Sequence, residues 1–156
     1  MQTTADDILE LKLLGLCIVA FLVIVSFHLV GLHGGIRLLH QNRRPTGPRP
    51  IPFHRMALHV VSLMAVLFGL HLLTNFAWGG FIYAAGVLDR YRDCVFFSLE
   101  NYTSEGLTQV TVPDAWRMLA PMISLSGVFC LAWSTAVLVG VFAQFYTPLG
   151  APPPEA

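Results

Sequence analysis

Charge is scarce in this chain. Asp, Glu, Lys and Arg together make up 12% of the 156 residues, about half the share of an ordinary soluble domain. The nine acidic and nine basic side chains cancel, so no basic excess points to nucleic acid. Cysteine is scarce too: Cys17, Cys94 and Cys130 are odd in number, sit in apolar runs and form no CxxC pair, which excludes a disulfide scaffold and a cysteine zinc site. HExxH, a nucleophile elbow and a phosphate-cradling glycine loop are all missing, so the chain is not read as an enzyme and implies no cofactor. The N-terminus, Met-Gln-Thr-Thr-Ala-Asp-Asp, lacks the basic start of a secretory signal. What is abundant is apolar surface. Hydrophobic residues reach 55% and mean hydropathy is +0.66, too apolar for a soluble globule or a disordered segment. The composition is that of a membrane protein.

The charge-free stretches carry the topology. Residues 13–36 hold no formal charge, residues 56–88 hold none, and after Arg117 none appears until Glu155, the apolar part running over 118–146. A bilayer core takes about 20 apolar residues per helix, so three spans are expected. The second stretch exceeds what the membrane requires and is expected to tilt, protrude or loosen at Gly79-Gly80.

Orientation follows from the basic residues. The loop 37–55 carries Arg37, Arg43, Arg44, Arg49 and Arg55 with no acid, which assigns it to the cytoplasm. Prolines 45, 48, 50 and 52 keep it extended. The N-terminal segment 1–12 (Asp6, Asp7, Glu10, Lys12) and the connection 89–117 are both net acidic, as an external face allows. Three spans then return the Pro-rich tail 148–156 to the cytoplasm.

The connection 89–117 is not a simple loop. Tyr91 to Leu99 is apolar enough to enter a membrane, yet a helix over 91–102 spans only about 18 Å, too short to cross about 30 Å of hydrocarbon. Glu100, Asn101, Tyr102, Thr103, Ser104, Glu105, Gly106, Leu107, Thr108 and Gln109 follow, rich in carboxylates, amides and hydroxyls, and Pro113 breaks any helix before Trp116 and Arg117. Two readings fit: a re-entrant segment held inside protein, or a loop on the membrane surface anchored by Tyr91, Phe96 and Phe97.

Here the residues resemble the two-helix pore module of bacterial potassium-channel-like proteins, the ion channel family. Phe96-Phe97-Ser98 is similar to that family's pore-helix aromatic-Phe-Ser, and Tyr102-Thr103-Ser104 to the Tyr-Thr-Thr leading into its filter. Val112-Pro113 with Trp116-Arg117-Met118-Leu119-Ala120 resembles the exit turn and the start of the inner helix, with Gly127 and Trp133-Ser134-Thr135 further along it. The likeness covers residues 71–145, and an extra preceding span also occurs in the family. It implies an all-α fold with a pore module over 56–147 and a re-entrant pore helix. It also implies a homotetramer in a bacterial inner membrane, with monovalent cations and the lipid bilayer as partners.

The filter departs from the family pattern. Alignment on Thr103-Ser104 puts Glu105 on Val, Gly106 on Gly, Leu107 on Tyr, Thr108 on the second Gly and Gln109 on Asp. A potassium filter replaces the ion's hydration shell with backbone carbonyls, and its glycines permit dihedrals that Thr108 resists. Weakened potassium selectivity is therefore expected. In a fourfold assembly Glu105 supplies a ring of carboxylates favouring cations; in the alternative, it pairs with Arg90, Arg92 or Arg117 and props a non-conducting turn, leaving an interaction subunit.

Six histidines suggest a rival, a haem-binding membrane anchor. His33, His40 and His54 border the loop, whereas His28, His59 and His71 lie within spans, where polar groups are costly and serve either interhelical hydrogen bonds or ligation. His28 and His59 are expected at similar depth, and His71 on one face with Asn75. Gly31, Gly34, Gly35, Gly79 and Gly80 suit close helix packing, and Gly127 suits either packing or a gating hinge.

Overall fold

The computed structural model describes residues 2–41, 53–106 and 110–145. Its elements are α1 (Gln2–Gln41), α2 (Phe53–Ala84), the short α3 (Tyr91–Tyr102), one 3₁₀ turn over Asp114–Trp116 and α4 (Leu119–Phe145), with no strand among the described residues. Three helical stretches, Ile8–Arg37, His54–Ala84 and Asp114–Ala143, are long and apolar enough to cross a membrane. The arginine loop's Arg43, Arg44 and Arg49 with its four prolines, the expected filter residues Leu107, Thr108 and Gln109, and the tail 148–156 lie outside the described residues.

Helix is the form these runs must take if they meet lipid, because it satisfies every backbone N–H and C=O within one segment. Hydropathy marks the apolar part of a helix rather than its ends. Thus α1 runs over Gln2–Gln41 and takes in Lys12, Glu10 and the aspartates, well beyond 13–36. The two aspartates and Glu10 thus belong to the same helix as the first span. Helix α4 begins at Leu119 after the break at Pro113, and its Pro121 falls in the first turn, where no intrahelical N–H is lost.

Helix α1 packs on α2 and α4, and α3 packs on α2 and α4, which meet one another less extensively. The first hairpin register brings Gly31 onto Leu70, Gly35 onto Val66 and His28 onto Thr74. His59 therefore does not share the depth of His28. It sits about 22 Å further down α2, at 1.5 Å per residue, because the register set by Gly31 on Leu70 and Gly35 on Val66 puts Thr74 opposite His28.

The core is apolar, but large apolar side chains also cover the outside and several polar residues of the helices turn inward. Exposed side chains include Leu22, Val23, Val30, Phe68, Phe76, Phe129 and Trp133, while His28, Thr74, Asn75, Ser98, Asn101, Ser126 and Ser134 are buried. Polar groups turned inward and apolar groups outward are what a hydrocarbon solvent demands.

Candidate functional site at the end of the short helix

Helix α3 runs back along α2 in antiparallel register. The rings of Tyr83 and Tyr91 meet edge to face, Val95 packs on Gly79, Ser98 donates to the carbonyl and side-chain oxygens of Asn75, and Tyr102 bonds His71. Gly79 explains why α2 does not loosen at Gly79-Gly80. The helix continues unbroken to Ala84, and the missing Cβ at 79 is the space Val95 occupies. On the other side, Ser124 of α4 donates to Asn101 O (2.8 Å), and the Tyr102 carbonyl abuts Gly127. The last turn of α3 thus stands about 20 Å below the Ala84 end of α2 and about 12 Å below the start of α4.

The residues after α3 form a helix cap. Glu105 N–H donates to Glu100 O (3.0 Å) and Ser104 N–H to Asn101 O (2.9 Å), the two bonds of a Schellman motif around Thr103. That motif puts its next residue in the left-handed region, and Ser104 has φ 59°. Gly106 follows at φ 66°, where glycine carries no steric penalty. Thr103, Ser104, Glu105 and Gly106 are exposed.

Electrostatically this end is negative. Helix carbonyls point the negative pole of the dipole at the cap, and two carboxylates, Glu100 and Glu105, stand there against the usual preference for cations at a C-terminus. Glu100 Oε2 is buried and has no hydrogen-bond partner. Position 100 was not singled out from sequence; the signal was an acid in the last turn of a short helix. Of the arginines expected as partners of Glu105, Arg117 pairs with Glu10 (2.6 Å) and Arg92 with Asp93 (3.6 Å).

No family model, curated protein or solved structure matches the chain.

Two of the three span histidines meet inside the bundle. Thr74 commits its hydroxyl proton to Leu70 O (2.8 Å), so it accepts from His28 Nδ1 (2.9 Å), which leaves Nε2 of a neutral ring to accept from Ser134 (3.4 Å). The His28 and His71 rings touch, with centroids 4.8 Å apart, leaving no gap for a porphyrin between them. Asn75 shares the His71 face, and its amide donates to His71 O (3.0 Å). His59 is half-buried on α2, away from this pair. No group of three metal-ligating side chains occurs among the described residues.

Proposed function

We propose that the chain is one subunit of a passive cation pore in a membrane, assembled as a homotetramer, with residues 103–109 along the ion path. What supports this reading is the negative end of α3: a helix C-terminus docked between α2 and α4 that carries Glu100, with Oε2 buried, and the exposed Glu105. Two carboxylates beside a helix's negative pole repel each other and the dipole, and a cation relieves both. In this reading α3 is a re-entrant pore helix and α4 lines the axis. One subunit supplies one pore segment, so four are needed to surround an ion.

The likeness to potassium-channel pore modules supports the architecture more than the ion preference. Glu105 in place of an apolar filter residue makes a ring of four side-chain carboxylates near the retained Gly106. Such rings pass cations by charge and discriminate weakly among monovalent ions. Potassium and sodium then both permeate, from an N-terminus-outside arrangement in a bacterial inner membrane. Reconstitution of wild type and Glu105→Gln into liposomes tests the ring. The substitution is expected to reduce preference for cations over chloride, and unchanged permeability ratios contradict it.

A further inference from the structure

The short helix ends on a tyrosine whose two polar ends are both fixed. Its carbonyl is seated against Gly127 of α4, and its hydroxyl bonds His71 Nδ1 of α2 at 2.8 Å, with the Cys130 thiol of α4 beside it. Tyr102 is 2% exposed, and a buried hydroxyl without a partner is costly, so the bond to His71 settles how the side chain is turned. The next three residues are the cap, whose amides hang in turn on Leu99 O, Asn101 O and Glu100 O of the same helix end. Rotation or retreat of Tyr102 therefore moves Ser104 and Glu105 with it.

His71 is itself supported from α1. Its ring meets His28, which is fully buried and clamped by Thr74 of α2 and Ser134 of α4. A side-chain chain thus runs Ser134, His28, His71, Tyr102, and ends at the residue preceding Thr103. We propose that His71, backed by His28, is a positioning residue that sets where the loop 103–106 stands, and that the first span is coupled to the ion path through this pair. The inference rests on the pore reading for its functional consequence and on geometry alone for its structural one.

Two readouts keep those apart. The first is amide hydrogen exchange of Ser104 and Glu105 in full-length protein in liposomes. The second is the potassium-to-sodium permeability ratio of the same preparations. Tyr102→Phe and His71→Ala are each expected to speed exchange at these amides about threefold to tenfold, the range of one interhelical hydrogen bond. Because both remove the same bond, the double variant is expected to match the singles rather than multiply them. His71→Asn, which keeps a polar atom near the Nδ1 position, restores protection, and His28→Ala gives a smaller increase. The permeability ratio shifts equally in His71→Ala and Tyr102→Phe. Unchanged exchange in His71→Ala, or multiplying effects in the double variant, overturns the inference even if the protein conducts. If exchange responds as expected and no preparation conducts, the pore reading falls and the positioning of the helix end stands.

Discussion

The carbonyl of Tyr102 occupies the space that a Cβ on Gly127 would need. Helix α4 can approach the end of α3 this closely because position 127 carries no side chain, and Ser124, one turn earlier, donates to the neighbouring Asn101 O. The two contacts dock the negative end of α3 on α4.

Gly127→Ala is therefore expected to push α3 off α4. The obstacle is backbone, which yields only if the whole helix end moves, and overpacking of this kind costs about 1–3 kcal/mol. Gly140→Ala, where nothing lies within 4 Å, is the control and is expected to be neutral or slightly stabilising through helix propensity. Unfolding of both variants in detergent micelles measures the difference. Equal stability of the two contradicts the close contact.

The same logic separates two adjacent glycines in α2. A Cβ at Gly79 would lie 2.6 Å from Val95 Cγ2 and 3.1 Å from its Cα, whereas one at Gly80 meets nothing within 4 Å. Gly79→Ala is expected to cost about 1–3 kcal/mol by displacing the first turns of α3, and Gly80→Ala little. A smaller residue at position 95, Val95→Ala, is expected to recover part of the loss in combination with Gly79→Ala. An additive double variant would argue against the contact.

The ion pair between Glu10 and Arg117 joins the first turns of α1 to the start of α4. Both side chains are substantially exposed, so the pair itself contributes about 0–1 kcal/mol, and removing either charge is expected to leave stability nearly unchanged. Its value is topological. A membrane-impermeant thiol reagent is expected to reach Glu10→Cys and Arg117→Cys from one face and Arg55→Cys from the other. Labelling of Glu10→Cys and Arg55→Cys from the same face would break the three-span arrangement.

Several of these features were legible in the sequence because they follow from solvent. The spacing of charged residues marked three apolar helices, and the short run from Tyr91 with Pro113 beyond it marked α3 and the break before α4. Depth and register were not legible. The placement of His28 with His59 assumed a register from the apolar runs, whereas packing at Gly31 on Leu70 and Gly35 on Val66 brings His28 to Thr74 instead. Nor does sequence show which glycine receives a neighbour. Gly79 and Gly80 read alike, and the choice is made by the rotation of α2 beneath Val95. The burial of Glu100 Oε2 was hidden for a similar reason, since it depends on how α3 is turned between its neighbours.

The most direct measurement is ion flux through wild-type protein in liposomes, with potassium, sodium and chloride gradients compared against protein-free vesicles. The account predicts passive potassium and sodium flux at comparable rates with chloride held back. No flux above the protein-free vesicles, or chloride passing as readily as the cations, would contradict it.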